Sequence, residues 1–200
     1  MKHITALTLA ALMGTTAAPA LAQEKGDMLL GLGLGWIEPD SASTLNPSGL
    51  NVGAEGALSP TITFEYFVAD NIGIELLASW PFEHDISVNG AEVAKTKHLP
   101  PTLSLQYHFT NKSAVKPFIG AGINYTYFFD EKINGARLSL DDSWGLALHA
   151  GADVAVSEKS AVRFDVRYID IETDAKVNGA PIGNVKIDPW VFNAAYVLKF

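Results

Sequence analysis

From Trp190 to Phe200 every second residue is apolar or aromatic: Trp190, Phe192, Ala194, Tyr196, Leu198 and Phe200. Successive side chains of a strand point to opposite faces, so strict period two predicts a strand. Its other face is mixed, with Val191, Asn193, Ala195, Val197 and Lys199. A tilted strand needs about 9–11 residues to cross a bilayer. An outward apolar face ending on an aromatic at the interface suits the closing strand of a membrane barrel, with Val191 and Lys199 turned inward.

The same alternation recurs along the chain. Met28, Leu30, Leu32, Leu34 and Trp36 oppose Leu29, Gly31, Gly33 and Gly35. A second strand over 57–68 sets Leu58, Pro60, Ile62, Phe64, Tyr66 and Val68 against Thr61, Thr63 and Glu65. A third places Ile72, Ile74, Leu76, Ala78, Trp80 and Phe82 outside, with Glu75 and Leu77 inside. Four more follow over 101–109, 117–129, 144–154 and 162–168. Eight strands is an even number, and their connections alternate between short and long. That pattern predicts an all-β fold, an eight-stranded antiparallel transmembrane β-barrel with short periplasmic turns and long extracellular loops. All four tryptophans, Trp36, Trp80, Trp144 and Trp190, fall at the long-loop ends, while Tyr66, Tyr107, Phe109 and Phe200 fall at the short-turn ends. These make two aromatic girdles. Three long loops contain Asn-Gly, at Asn89-Gly90, Asn134-Gly135 and Asn178-Gly179. This pair suits a two-residue hairpin with positive φ at both positions, so hairpins should continue above the membrane.

The first residues read as an export signal. Lys2 precedes an apolar run from Ile4 to Met13 and small residues ending Ala20-Leu21-Ala22, which predicts cleavage between Ala22 and Gln23. The expected organisation is a signal peptide over 1–22 and a barrel over 23–200. Beyond the signal there is no run of eighteen apolar residues, and the chain has no cysteine. It therefore offers neither a transmembrane helix nor disulfides. With 14 Lys and Arg against 22 Asp and Glu, the net charge of −8 argues against nucleic acid as a partner.

Six ordered stretches resemble the OmpW family of outer-membrane proteins: FEYFVADNIGIELL (64–77), HLPPTL (98–103), GAGINYTYFFD (120–130), DSWG (142–145), YIDI (168–171) and DPWVF (188–192). The resemblance spans nearly all of the chain after residue 22. It implies a narrow apolar channel that passes small hydrophobic molecules across the outer membrane of a Gram-negative bacterium. Relatives in an alkane-uptake branch are similar too, and some members of the family serve as colicin receptors. In some members a leucine and a tryptophan narrow the channel. Leu77 matches the leucine, but Arg167 stands at the tryptophan position, which implies a charged gate.

The inward positions divide by depth. Leu77, Phe128, Ile169, Ile187 and Val191 belong to an outer apolar half, the expected ligand pathway. Glu65, Gln106, His108, Asp153, Arg163 and Asp165 belong to an inner polar half, with Glu75 and Arg167 near the middle. Opposite charges confined there should pair, so Arg163, Asp165, Arg167 and Glu75 are the expected gate or plug, although a run such as Arg163, Asp165 and Arg167 is more often a structural charge ladder than a binding site. Pro81, Pro100 and Pro101 lie roughly opposite one another. Proline cannot donate to the ladder, so these residues mark a lateral opening or simply shape a loop base. His84, Asp85 and His98 could suggest a metal, but counting along the hairpin puts the two histidines out of register. They read as solvated loop residues, and no metal or cofactor is expected. Ser79, Ser104 and Ser143 face inward without a placed base, so no enzyme is expected. Passive uptake of small hydrophobic solutes is the leading reading. Its rivals are a barrel whose loops are a bacteriocin, phage or host receptor, and a soluble β-barrel. Expected partners are outer-membrane lipid, hydrophobic solutes and, through Phe200, the barrel-insertion machinery.

Overall fold

The computed structural model describes residues 23–39, 44–45 and 49–200; the expected signal peptide, including Ala22, lies outside them. Among the described residues fifteen strands follow in chain order. They are β1 (Met28–Glu38), β2 (Thr44–Leu45), β3 (Leu50–Ala54), β4 (Ala57–Ala69) and β5 (Ile72–Ser79). Next come β6 (Phe82–Val88), β7 (Ala91–Leu99), β8 (Thr102–His108), β9 (Val115–Ile133) and β10 (Leu138–Leu140). The last are β11 (Ser143–Ser157), β12 (Ser160–Ile169), β13 (Glu172–Val177), β14 (Ala180–Lys186) and β15 (Trp190–Lys199). Eight of them close into an antiparallel barrel in the order β1-β4-β5-β8-β9-β11-β12-β15 and back to β1. The closing pair runs from Leu29 opposite Lys199 to Glu38 opposite Trp190. Closure matters because hydrocarbon offers no partner to an exposed strand edge.

Side chains alternate between lipid and interior as the pattern predicts. Leu32, Leu34, Ile62, Leu105, Leu146 and Phe192 are among the large apolar residues that stay exposed on the outer surface. So do all four tryptophans at one rim, and Tyr66, Tyr107, Phe109 and Phe200 at the other. Inside, glycines make room. A Cβ on Gly31 would lie 2.3 Å from Thr63 Oγ1, and one on Gly120 2.0 Å from His149 Nε2. At Gly33 it would meet backbone, 2.3 Å from the Ala194 carbonyl oxygen and 2.8 Å from Ala195 Cα.

Above the tryptophan rim the wall continues. The β6–β7 hairpin rises between β3 and the upper part of β9, and β10, β13 and β14 form a second small sheet. Asn89 and Gly90 have φ of 49° and 83°, and Asn178 and Gly179 of 51° and 80°, as their hairpins require. The third Asn-Gly departs from expectation: only Gly135 has positive φ, at 74°.

A second departure is larger. Phe82 does not face outward but is buried at 2% exposure. The cause is a slip at Pro81. Below it, Leu77 pairs with Thr102; above it, Phe82 pairs with His98. The β5–β6 side thus carries one residue more between these pairs than the β7–β8 side. One extra residue turns every later side chain to the opposite face.

Gly33→Val should destabilise the closing seam, because its new atoms meet backbone that cannot move aside. The expected loss is on the order of 2 kcal/mol, read as a lower urea midpoint of tryptophan fluorescence in lipid vesicles. An unchanged midpoint would show that β1 and β15 tolerate a wider separation there.

Candidate functional site

One buried, ion-paired cluster drawn from several strands lies inside the barrel. Arg163 on β12 donates from Nε and Nη2 to the two oxygens of Asp153, at 2.7 and 2.9 Å. Its Nη1 reaches Glu75 Oε2 at 2.7 Å and its Nη2 Glu65 Oε2 at 2.9 Å. The guanidinium also lies 4.6 Å from the centre of the Phe118 ring. Arg167 donates to Glu75 Oε1 at 2.8 Å and Asp165 Oδ2 at 3.1 Å, with His149 Nδ1 3.2 Å away. Gln23 donates its amide N–H to His108 Nδ1 at 2.7 Å, which leaves His108 Nε2–H to donate to Glu65 Oε1 at 2.7 Å. None of Glu65, Glu75, Asp153, Arg163 and Arg167 exceeds 1% exposure. Fork-shaped guanidiniums suit this task, since each can bridge several carboxylates at once.

The expected residues Arg163, Asp165, Arg167 and Glu75 do come together. His149, which the sequence pattern does not single out, and Gln23, which it marks only as the residue after the cleavage site, join them. His149 was legible from the inward phase of β11, which also carries Asp153. Gln23 sits ahead of the first strand, where no periodicity speaks for it.

Above this cluster the interior becomes apolar within one step of β12. Ile37, Phe82, Phe128, Ala147, Ile169, Ile171 and Val191 pack together, with Ile187 half-buried against them. Of the expected pathway, Phe128, Ile169, Ile187 and Val191 are therefore contiguous. Leu77 is buried but lies outside that group, between Thr63 and Thr102 and two pairs above Glu75. Higher still, a cavity of about 120 Å³ is lined by residues of the rising strands, among them Leu45, Val52, Phe128, Ile182 and Val185.

His84 and His98 also line this cavity. They are not solvated loop residues: their exposures are 3% and 2%. Their strands continue the barrel wall, and the slip at Pro81 turns His84 inward. They are indeed not direct partners, since His84 pairs with Thr96 and His98 with Phe82. They nonetheless stack diagonally, with ring centres 4.9 Å apart and planes within 6°. Among the described residues no group of three or more metal-ligating side chains occurs. Burial, reinforced by His84, pushes His98 down to about 3. Burial also lowers His84, against the opposing hydrogen bond to the Glu55 carbonyl and the nearby Asp85 charge.

Between the cavity and the ion-paired cluster lies the seam. The β5–β8 ladder stops at Leu77–Thr102, and β6–β7 begins at Phe82–His98. Trp80, Pro81, Pro100 and Pro101 occupy the interruption. Each flank stays tied to its other neighbour: Trp80 N–H donates to the Pro60 carbonyl at 2.8 Å, and Tyr125 N–H to the Pro101 carbonyl at 3.1 Å.

Two outcomes follow. Arg163→Met leaves three buried carboxylates short of a partner and should cost about 3–5 kcal/mol, measured as a lower urea midpoint in vesicles; a change below 1 kcal/mol would mean the cluster repacks freely. The histidines give a pH dependence. An unfolded imidazole titrates near 6.5, above its folded value, so hairpin stability is full above that pH and falls as pH drops towards about 3. At pH 5 the loss should be about 2 kcal/mol for His98. Amide exchange over 82–99 should speed up accordingly, and the effect should shrink in His98→Phe.

Comparison with known proteins agrees with this architecture. The OmpW family model matches residues 24–200. Outer membrane protein W of Vibrio cholerae is 38% identical, over 96% of this chain and 97% of its own length. The crystal structure of the outer membrane protein OprG from Pseudomonas aeruginosa superposes with a TM-score of 0.79 at 32% identity, covering 90% of this chain and 99% of that one. A Pseudomonas aeruginosa protein named for a dibenzothiophene metabolism operon is 29% identical, over 70% of each chain.

Proposed function

The chain belongs to the OmpW family and is an outer-membrane barrel of the Gram-negative envelope, and from that premise we propose that it conducts small hydrophobic molecules passively from outside the cell into the membrane. A solute enters the apolar cavity, descends past Phe128, Ile169 and Val191, and stops on the Arg167–Glu75 and Arg163 cluster. It then leaves sideways between β5 and β8 into lipid. The observation that carries this reading is the interrupted ladder between Leu77–Thr102 and Phe82–His98, which begins two pairs above Glu75. The dibenzothiophene operon relative supports an apolar cargo, since that name attaches a fused aromatic compound to a similar chain.

An axial route is disfavoured by cost. Moving the cluster aside would strip four carboxylates and two guanidiniums of their partners, and a buried charge without its partner costs several kcal/mol. An apolar solute has no polar group with which to replace those partners. A sideways exit needs no such exchange, because the solute passes from one apolar medium to another. Phe200, whose backbone N–H donates to the Met28 carbonyl at 3.1 Å and whose ring is exposed at the rim, is proposed to engage the insertion machinery before closure and to anchor the strand afterwards.

Ser79 and Pro100 face one another if the Leu77–Thr102 register is extended. Joining them as a cysteine pair should close the exit. Proteoliposomes holding Ser79→Cys/Pro100→Cys should take up a labelled apolar aromatic at least tenfold more slowly when oxidised than when reduced. Equal rates in both states would overturn the lateral route. No acceleration over protein-free vesicles by the unmodified protein would overturn conduction altogether and favour a receptor role for the loops.

A further inference from the structure

The packed apolar layer stands between the outer cavity and the seam. Ile37, Ala147, Ile169, Ile171 and Val191 are exposed by 4% or less, and so are Phe82 and Phe128. Phe128 also lines the cavity, whereas Phe82 does not. A solute in the cavity therefore meets packed side chains before it meets the interruption between Leu77–Thr102 and Phe82–His98. Something in the layer has to move if the cavity is to drain into lipid.

The layer holds two kinds of side chain. Ile37, Ile169, Ile171 and Val191 are β-branched, which makes them stiff at χ1, and Ala147 has no side-chain rotamer to change. Phe82 and Phe128 can each carry a whole ring from one staggered χ1 setting to another. Their backbones set the two rings apart. Phe128 sits inside the nineteen residues of β9. Phe82 is the first residue of β6, directly after Trp80 and Pro81 in the interruption. Its ring packs on that of His98, with centres 5.7 Å apart and planes at 27°. A swing of this ring breaks van der Waals contacts only, and an apolar solute entering the vacated space restores contacts of the same kind. It uncovers no charge and breaks no hydrogen bond of its own, since a phenyl ring has neither.

We propose that Phe82 is the gate between the outer cavity and the seam. The cavity above it holds the next molecule to pass. An apolar cavity of roughly 150 Å³ stays dry and binds benzene. This one, at about 120 Å³ and lined almost wholly by apolar groups, suits a molecule the size of one aromatic ring. When Phe82 turns, that molecule passes beside Pro81 into lipid; when it turns back, the layer is closed. The gate rests on the conduit reading and adds to it the residue that controls the last step.

The test uses the full chain in nanodiscs, with fluorobenzene as the probe. Saturation transfer between its protein-bound and lipid ¹⁹F signals gives the rate at which it leaves the cavity for lipid. Phe82→Ala should raise that rate roughly tenfold, the barrier that the ring adds being lost. An oxidised Ser79→Cys/Pro100→Cys pair should cancel the gain, because the gate then opens on a closed seam. Because Phe82→Ala could misfold, the unmodified protein supplies a second reading. With ring-labelled phenylalanine, the Phe82 signal should exchange between two positions on adding fluorobenzene, at the rate at which the probe leaves. The signal of Phe118, which lies against Arg163 in the ion-paired cluster, should stay still. An unchanged rate in folded Phe82→Ala, or a Phe82 ring that ignores the probe, would overturn the gate and leave the conduit standing. A gain that survives the oxidised cysteine pair would overturn the gate and the lateral route together. The lack of any protein-bound signal would overturn both the gate and the cavity's place in the conduit.

Discussion

A backbone N–H or C=O left unpaired in hydrocarbon costs several kcal/mol, and the architecture follows from avoiding that cost. It obliges β1 to meet β15, which sets the outward phase of every strand and so the exposed girdle and apolar belt. It also explains why the interruption between β5 and β8 is built from Pro81, Pro100 and Pro101. Proline removes the donor instead of leaving it unmet. The polar groups that remain turn the other way, Trp80 N–H to the Pro60 carbonyl and the Pro101 carbonyl to Tyr125 N–H and the Asn124 amide. A seam of ordinary residues at the outer edge of the bilayer would expose donors on both flanks. This one leaves the wall bonded on either side and unzipped only in the middle.

Inside, the constraint is volume. An eight-stranded barrel has little room beyond its own side chains, yet this one holds two arginines, four carboxylates and two imidazoles in its lower half. Small residues on neighbouring strands make that possible. Gly31, Gly120 and Gly151 each stand where a Cβ would overlap an interior side chain, Thr63, His149 and Phe118 respectively. The run of alternate glycines in β1 and the charged ladder in β12 are two halves of one solution.

The barrel was legible in the sequence because period two is local. Each strand, its phase and its girdle residues can be read without knowing its neighbours, and so could the division of interior positions by depth. Which charges would meet was not legible. Arg163 reaches Glu65, Glu75 and Asp153 from three different strands, and that depends on the stagger of the closed barrel. The inward turn of Phe82 and His84 escaped for a similar reason. It rests on one extra residue between two paired segments, which shows only when both sides of the seam are counted together. Pro81 marked the place but not the direction of the slip. Missing that slip also misplaced the histidines, since a phase that puts Phe82 outside denies His84 a place beside His98.

The slip also shapes the lining of the cavity. Without it, the outward phase of β5 would carry Phe82 and His84 away from the cavity, and the hairpin would present Glu83 and Asp85 to the interior. Two carboxylates there would hydrate the cavity and repel apolar cargo, because burying an unpaired carboxylate costs far more than burying an imidazole. With the slip, Glu83 and Asp85 lie on the outer side, where Lys97 and Lys95 pair with them, and the inner side receives an aromatic ring and a neutral imidazole. The same interruption that unzips the wall at the foot of the cavity therefore makes the cavity apolar above it. The proposed exit into lipid and the apolar lining of the cavity above it are both consequences of a single inserted residue.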